Sequence, residues 1–354
     1  MNRREFLKVS AIIPAALSLT SAVHAAPSRI RCGILGIDHA HGIDIFNVLS
    51  KSGDIELAGI CEPDEEVRKQ YEAMPRLKDV PWLSLDELLG DSALQMVAVE
   101  SAVPRLLSLA RAAVDAGKHI HLDKPAGASL DTFRSLLDEA AKRKLLVQMG
   151  YMFRYNPGFD FVRRAVKEGW LGDIYAIHGS MCTDLPPDKR KRIAVYPGGM
   201  MLELGCHLMD IVLLLLGPPS KVTPFIRHDG PHDDALVDNA LAVLEYPRAM
   251  VTIESAAMEP NAFSTRRFKV SGTNGSIVLA PLEPPAAHLS LRNDVAEYKK
   301  GAHDITFPDL ERHVLDFADL AACIRGEREF SYSKEHDYAM QKTLLQASGM
   351  IASG

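Results

Sequence analysis

The sequence predicts an α/β protein in which a doubly wound parallel sheet is followed by an α+β domain with an open, mostly antiparallel sheet. The first observation is an alternation of short apolar strands and helices that runs to residue 149. The second is a series of strands without intervening helices that begins after Gly217-Pro218. A chain of 354 residues that is 47% hydrophobic is long enough to bury two cores. We therefore expect domains at residues 26–149 and 150–354.

The first 25 residues are typical of an export signal. Arg3-Arg4 precede an apolar run over residues 9–23, which is shorter than a bilayer span and ends at a small-residue site that can be cleaved after Ala25. Paired arginines at this place indicate the twin-arginine (Tat) pathway and a periplasmic protein, the alternatives being an uncleaved anchor or a chance basic start. Cleavage would change the net charge from −6 to −8. An acidic chain without another long apolar run gives no support for nucleic acid or a membrane as a partner.

Five strands and four helices are predicted in the first domain. The strands span residues 29–35, 55–61, 96–99, 119–122 and 145–149. The helices span residues 41–50, a charged segment ending at Ala73, residues 104–116, and residues 130–144. Short apolar strands separated by helices are typical of a parallel sheet covered on both faces. Such sheets bind ligands outside the carboxyl ends of their strands.

The turn after the first strand is suited to a dinucleotide phosphate. Gly33 and Gly36 lie there, and a backbone that approaches a pyrophosphate at a helix N-terminus needs glycines. Aligned on Gly36, the next two positions of the GxGxxG pattern hold Asp38 and His41. Three interpretations of Asp38 stay open: it points away, it binds the ribose, or the loop no longer binds nucleotide. Glu62 ends the second strand, where its carboxylate would accept from a ribose diol and repel a 2′-phosphate, so NAD is favoured over NADP.

Three histidines near this turn allow a metal site as an alternative. His39 and His41 are two residues apart in the loop, and His121 lies on a strand that should end nearby. No Cys, Asp or Glu completes an obvious ligand set, and such histidines also hydrogen-bond phosphate or substrate. We therefore predict no metal.

The strand over residues 119–122 runs into Asp123-Lys124-Pro125, where proline stops it because proline cannot donate to a ladder. A lysine at this rim can hydrogen-bond a substrate oxygen, and it can carry protons if its pKa is lowered. The alternative is a solvated loop lysine.

Residues 150–157 lead out of the first domain. Arg154 and Tyr155 would suit a wall of the cleft, or equally a packed linker. A helix over residues 157–169 and a strand over residues 174–178 follow. The basic run over residues 189–192 is expected to be a solvated loop, with a grip on a carboxylated or polyhydroxy substrate as the minority alternative.

A second informative stretch begins at Gly198-Gly199. On an α-helix with 100° per residue, Glu203, His207 and Asp210 share one face of an otherwise apolar segment. Buried ionisable groups need partners or a water-filled cleft. A carboxylate one turn from an imidazole orients it and tunes its pKa, as expected of a general base.

The remaining chain is predicted to form strands and two closing helices. The strands span residues 222–226, 238–244, 249–258, 267–271 and 276–279, and the helices span residues 310–325 and 335–351. One face of this sheet would pack on the helix that carries Asp210, and the other is free for another subunit, so we expect a homo-oligomer. The five widely spaced cysteines are expected to be small buried side chains, although a Cys32–Cys61 disulfide is conceivable.

Three segments resemble the Gfo/Idh/MocA family, which includes glucose–fructose oxidoreductase and inositol dehydrogenase. Residues 116–125 resemble its Glu-Lys-Pro segment, with Asp123 for the usual Glu. Residues 198–210 resemble its glycine-rich turn and helix, with Glu203 at the Asp position. Residues 154–157 resemble the segment whose Tyr often lines the substrate site.

The resemblance implies a role for each matching residue. Catalysis would be carried out by Lys124, His207 and Glu203, and the substrate would be bound by Arg154, Tyr155 and Asp210. The NAD cofactor would be bound by Gly33, Gly36, Asp38, His39, His41, Glu62, Glu100, Asp123 and Lys124. The chain departs from the family at Asp38 and His41, which replace glycines, and at residues 100–104, which lack the usual Pro-Asn-x-x-His contact to the nicotinamide.

The resemblance also implies a mechanism. His207 would take the proton of a sugar hydroxyl while hydride leaves that carbon for the nicotinamide, Lys124 would hold the charged oxygen, and Glu203 would orient His207. Because the periplasm has no NAD pool, an exported enzyme would retain its cofactor and return it to its starting state in each cycle. The alternatives are a redox-neutral glycoside-cleaving or epimerising enzyme with bound NAD, a non-catalytic carbohydrate-binding protein, and a metal-dependent hydrolase.

Overall fold

The computed structural model describes residues 28–352 except residues 40, 196 and 310. The predicted export signal and its cleavage site lie outside the described residues. Within the described part of the chain, no helix combines the length and the apolar character that a bilayer span requires.

A five-stranded parallel sheet forms the N-terminal half, as predicted, with the strand order β2-β1-β3-β4-β5. Its strands are β1 (Ile30–Leu35), β2 (Ile55–Cys61), β3 (Met96–Val99), β4 (His119–Leu122) and β5 (Val147–Met149). The helices are α1 (Gly42–Lys51), α2 (Glu65–Glu72), α3 (Leu85–Gly90), α4 (Val103–Asp115) and α5 (Leu130–Lys142). The sequence did not predict α3, which begins with a capping box between Ser84 and Glu87.

A mostly antiparallel eight-stranded sheet forms the second half, in the order β13-β12-β11-β10-β6-β9-β8-β7, with β6 and β9 parallel. Its first elements are α6 (Pro157–Lys167), β6 (Ile174–Ser180), α7 (Pro187–Ile193), a π-helical turn (Met201–Gly205) and α8 (Cys206–Leu216). The later ones are β7 (Lys221–Arg227), β8 (Asn239–Glu245), β9 (Met250–Ala256), α9 (Ala262–Thr265), β10 (Arg267–Gly272), β11 (Gly275–Leu282), β12 (Pro285–Leu291) and β13 (Gly301–Thr306). The sequence analysis missed β12 and β13, because Pro281, Pro284 and Pro285 are poor strand residues and hid the alternation that follows them.

The last two helices return to the first half of the chain. In α10 (Val314–Ile324), Phe317 and Leu320 pack into the core beneath β1 and β3. The helix α11 (Lys334–Ala347) packs against α5 and α8, and the Gln341 side chain donates to the Gly127 carbonyl at 2.6 Å. The two halves are therefore joined by more than the linker at residue 150, and α10 belongs by contact to the N-terminal core.

The outer face of the large sheet carries exposed apolar side chains. Phe225 and Leu241 are paired across β7 and β8, and Met250 at the start of β9 is 66% exposed. The opposite face is buried against α8 and neighbouring segments. All five cysteines are free thiols, so the conceivable Cys32–Cys61 disulfide is not formed.

Candidate active site

A cleft of about 570 Å³ lies between the two halves, at the carboxyl ends of the parallel strands. At one end it is lined by Val67 and Tyr71 of α2, and at the other by His207 of α8. Of the residues predicted from the sequence, the cleft brings together Asp38, His39, His41, Glu203 and His207. The remaining predicted residues lie behind this lining or away from the cleft.

Lys124 is fully buried at the end of β4 and reaches across to the second half. Its Nζ donates to the Glu203 carbonyl at 2.9 Å and to a Glu203 carboxylate oxygen at 3.0 Å. Burial lowers the pKa of Lys124, but Glu203, Asp123 and Cys206 together raise it by more, so the lysine stays an ammonium ion. It is therefore a hydrogen-bond donor rather than a proton carrier, and it lies behind Glu203 instead of lining the cleft.

His207 faces the cleft from the first turn of α8. Its ring packs against Phe153 and, edge to face, against Tyr151. Burial and the nearby Lys124 ammonium hold the pKa of His207 well below its usual value, so the imidazole is neutral at neutral pH. A neutral imidazole on a cleft can accept a proton.

The predicted partnership between Glu203 and His207 is not what the structure shows. Residues 201–205 form a π-helical turn, which changes the angular spacing assumed for an α-helix. Glu203 binds Lys124, while the buried Nδ1 of His207 has no hydrogen-bond partner within the described chain. The histidine is positioned by the packing of Tyr151 and Phe153 rather than by a carboxylate.

The turn between β1 and α1 approaches other backbone closely. Gly36 has φ +77°, and a Cβ there would lie 2.6 Å from the Ser101 Cβ, so only glycine is tolerated without strain. Gly33 lies within β1, where a Cβ would meet the Leu88 side chain at 2.4 Å, so it serves packing against α3. The first turn of α1 has no side-chain cap, which leaves backbone N–H groups for an anion.

The Asp38 carboxylate is directed toward the start of α4. Its carboxylate accepts from the Ala102 backbone N–H and from Arg105, both at 2.7 Å. Arg105 also donates to Glu62 at 3.0 Å, and Glu62 accepts from the Ile37 and Asp64 backbone N–H groups. The carboxylate expected to bind a ribose diol is thus buried and already has partners.

A buried acid–histidine network lies beneath the cleft. Asp123 contacts His39 and accepts from His41 at 3.1 Å. Burial raises the pKa of Asp123, but His39 and His41 together lower it by more. This carboxyl is therefore ionised. Burial and the Asp123 charge raise the pKa of Glu100 well above its usual range, which favours the protonated form. Glu100 also contacts His121 Nδ1 at 3.1 Å, and burial lowers the pKa of His121 to about 4.

Two sets of three side chains in this network have the spacing of metal ligands. They are His39, His41 and Asp123, and His121, His313 and Asp316, with potential ligand atoms within 4.8 Å of one another. The carboxylates that the sequence analysis did not find near the histidines are therefore present. In the second set, His313 Nδ1 and an Asp316 carboxylate oxygen lie 2.9 Å apart. Burial lowers the pKa of His313, but the charge and hydrogen bond of Asp316 oppose this, and the net pKa is raised.

The predicted substrate ligands Arg154 and Asp210 lie in the protein interior instead of on the cleft. Arg154 donates to both Asp210 oxygens, at 2.9 and 2.7 Å, and to Asp337 at 2.6 Å. His336 contacts Asp210 at 2.9 Å. The Tyr155 hydroxyl, also off the cleft, donates to Asp319 at 2.9 Å. Arg154 thus joins Asp210 of α8 to Asp337 of α11, which gives each buried charge a partner of opposite sign, and Tyr155 bonds α10.

Three arginines that the sequence analysis did not assign to the site contribute to the cleft or its rim. Arg105 joins Asp38 to Glu62, and Arg266 and Arg312 line the opposite end near His207. Arg266 follows a four-residue helix that was not predicted, and Arg312 precedes α10, which crosses back to the first sheet. No local pattern marks either residue, since their position depends on how the two halves are joined.

A parallel nucleotide-type sheet that faces a histidine and a lysine–glutamate pair across a cleft defines a class of two-domain oxidoreductases. The chain belongs to the Gfo/Idh/MocA family of oxidoreductases: the family's NAD-binding Rossmann fold matches residues 30–151, and its C-terminal domain matches residues 159–278. The family and the fold class predicted from the sequence are thereby confirmed.

Several relatives act on sugars or cyclitols. The scyllo-inositol 2-dehydrogenase (NAD(+)) of Bacillus subtilis is 23% identical over 318 residues, which are 84% of this chain and 87% of that protein. The D-xylose 1-dehydrogenase (NADP(+)) 2 of Haloferax volcanii is 26% identical over 266 residues, 72% of this chain and 78% of that protein. The crystal structure of GenD2 from gentamicin A biosynthesis in complex with NAD has a TM-score of 0.75 at 20% identity and covers 92% of this chain and 95% of that one. The last likeness supports the fold alone.

The residues present fit a nicotinamide dinucleotide at its phosphates. Gly36 and the uncapped first turn of α1 offer the close backbone approach and the free N–H groups that a pyrophosphate needs. At the ribose, Glu62 would have to exchange its bond with Arg105 for the diol. A cofactor held by these residues would supply a hydride acceptor.

Proposed function

We propose that this protein is an exported, NAD-dependent oxidoreductase that acts on a CH–OH group of a carbohydrate. The observation that carries the proposal is the single cleft, which joins the phosphate turn of the first half to the neutral His207 of the second. The sugar and cyclitol dehydrogenases among the relatives support the substrate class.

His207 is assigned as the general base. Because burial and the Lys124 charge keep it neutral, it can take the proton of a substrate hydroxyl at neutral pH. Lys124 is assigned to hold the oxygen that gains negative charge, and one of its bonds to Glu203 must open when substrate binds. Glu203, which lines the cleft, then accepts from a neighbouring substrate hydroxyl.

We propose NAD rather than NADP on the charges at the ribose end. Arg105 bridges Asp38 and Glu62 there, and Arg192 donates to the Asp38 carbonyl at 3.1 Å. The proposal therefore rests on Glu62, whose carboxylate at the end of β2 would accept from a ribose diol and repel a 2′-phosphate.

The export proposal rests on Arg3-Arg4 and the cleavable apolar run, and it implies a retained cofactor. A cofactor that cannot exchange must be restored in each turnover, either by a second substrate or within one redox-neutral cycle. The net reaction in this proposal is a closed hydride loop, with glycoside cleavage and epimerisation as its redox-neutral forms.

Nucleotide release tests the proposal directly. The protein is purified from the periplasmic fraction and denatured, and the supernatant is examined by absorbance and mass spectrometry. We expect close to one NAD per chain, together with a keto product when the intact protein is incubated with a panel of sugars. A chain without nucleotide that still binds a sugar would contradict an oxidoreductase. That result would instead identify a carbohydrate-binding protein, a second candidate which the occupied Glu62 carboxylate favours.

We also propose that the outer face of the large sheet pairs with a second copy of the chain. Phe225, Leu241 and Met250 expose a run of apolar surface on β7, β8 and β9 that a partner would cover. Light scattering is expected to give a mass that is a multiple of the chain's own. A monomer at micromolar concentration would contradict this arrangement.

A further inference from the structure

The cleft is lined by more basic than acidic side chains, and two of the basic ones, Arg266 and Arg312, lie at the end next to His207. Four basic side chains line the cleft: Lys189, Arg192, Arg266 and Arg312. The acidic lining residues are Asp38 and Glu203, and each is already paired with a cation behind the lining, Arg105 and Lys124. Arg312 pairs with Glu283, which lies outside the lining, and the other three basic groups have no ion-pair partner among the described acids that line the cleft.

Arg266 is the most informative of the four, because it is only 4% exposed. Its Nε donates to the Cys182 carbonyl at 2.9 Å, and its guanidinium lies 4.0 Å over the Phe263 ring. Within the described chain, no carboxylate lies within ion-pair distance of it. Burial lowers the pKa of Arg266; the more distant Glu283 charge only partly offsets this, and the Arg312 charge adds to the lowering. A buried cation without a counter-ion is costly unless a ligand supplies the negative charge.

The basic run over residues 189–192 divides into a structural part and a cleft part. Arg190 is buried and donates to Asp234 at 2.6 Å and to Asp238 at 2.8 Å. This ion pair fixes α7, so that Lys189 and Arg192, three residues apart on one side of the helix, line the cleft. The run is thus not simply a solvated loop.

Arg312 connects this charge to the reacting group. It pairs with Glu283 and lines the same cleft as His207 and Arg266. Phe263 lines the same region and is 56% exposed, which gives the carbon–hydrogen face of a sugar ring a surface to pack on.

We propose that this end of the cleft is an anion-binding subsite, in which Arg266 and Arg312 bind a carboxylate or phosphate carried by the carbohydrate substrate. This inference rests on the proposed function, since it assigns the substrate of the same site to the class of anionic sugars. Lys189 and Arg192 add long-range attraction from the opposite wall.

The test compares matched neutral and anionic sugars on the intact protein with its bound nucleotide. One set consists of D-glucose, D-glucuronate and D-glucose 6-phosphate. The second set consists of the corresponding D-galactose, D-galacturonate and D-galactose 6-phosphate. Binding is measured by calorimetry and by the shift in melting temperature, at low and high salt. We expect an anionic member to bind at least about tenfold tighter than its neutral partner, with the advantage reduced by salt. Comparison of the uronates with the sugar 6-phosphates shows whether the site binds a carboxylate or a phosphate.

Variants assign the effect to the arginines. Arg266→Gln and Arg312→Gln are each expected to remove about tenfold or more of the affinity for the anionic sugar, and Arg266→Lys to retain part of it. Arg248→Gln is the matched control, because Arg248 pairs with Asp173 on the surface away from the cleft. If Arg266→Gln does not fold, the affinity of Arg312→Gln for the anionic sugar decides the test. The Arg312 side chain is 42% exposed, so its replacement is expected to leave the fold intact.

Three results would overturn the inference. They are equal binding of neutral and anionic members in both sets, an anionic preference that survives in folded Arg266→Gln and Arg312→Gln, and binding of acetate or inorganic phosphate as tight as that of the charged sugars. Released NAD together with oxidation of a neutral sugar would overturn this inference alone and leave the proposed function intact.

Discussion

The substitution His207→Phe is expected to abolish turnover while leaving the melting temperature unchanged or raising it. The ring of phenylalanine keeps the packing against Tyr151 and Phe153, and it removes a buried Nδ1 that has no hydrogen-bond partner. An unpaired buried polar atom costs free energy, so its removal does not destabilise the fold. Loss of a general base lowers kcat by about 10²–10⁴-fold. The measurements are a thermal melt and single-turnover absorbance of the reduced nicotinamide with a sugar from the panel.

The pH dependence gives a second readout of the same residue. The pKa of His207 is lowered, so the neutral base persists below the usual histidine value of 6.5. The acidic limb of kcat/KM is therefore expected below pH 6.5, and activity is lost only as pH falls through the lowered pKa. His178→Phe is the control, since His178 is exposed on the outer face of the large sheet and bonds Thr252. Normal turnover in His207→Phe would exclude His207 as the base, and an acidic limb at or above pH 6.5 would contradict a neutral buried imidazole.

The sequence predicted the fold well where local pattern and burial agree. All five parallel strands were predicted, because short apolar runs between helices are almost fully buried, as in β3. The pattern failed where tertiary structure changed the geometry. A π-helical turn cannot be distinguished from an α-helix by residue spacing, so the sequence predicted a contact between Glu203 and His207 that is not formed, although both side chains line the cleft.

The site was predicted in part for a related physical reason. The sequence could place Lys124 at the end of a strand, and it could place His207 on a helix, but it could not show which charges meet. Lys124 pairs with Glu203 only because the second half folds back over the first sheet. The same holds for Arg105 and Glu62, which are 43 residues apart in the chain and meet because β2 and β3, on either side of β1, end at the same edge of the sheet.

Arg154→Met is expected to be the most destabilising single change among the residues predicted to bind substrate. Removal of the guanidinium leaves Asp210 and Asp337 buried without a full positive charge to balance them. Breaking a buried ion pair from one side costs about 3–5 kcal/mol of unfolding free energy. The measurement is urea denaturation followed by circular dichroism. Arg248→Met is the control, because the Arg248–Asp173 pair is exposed and such pairs contribute little.

Two further measurements distinguish uncompensated charge from lost packing as the cause of this destabilisation: a variant without the two carboxylates, and the pH dependence of stability. The triple variant Arg154→Met, Asp210→Asn, Asp337→Asn removes the uncompensated charges, so it should recover part of the stability that Arg154→Met loses. In the parent protein burial raises the pKa of Asp210, but Arg154 lowers it by more, so the pair stabilises the fold above the unfolded carboxyl pKa and less as pH falls. The difference between parent and Arg154→Met should therefore narrow toward about pH 4. A stable Arg154→Met protein with a raised KM would instead show that Arg154 contacts substrate, because an interior ion pair has no route to KM that leaves stability untouched.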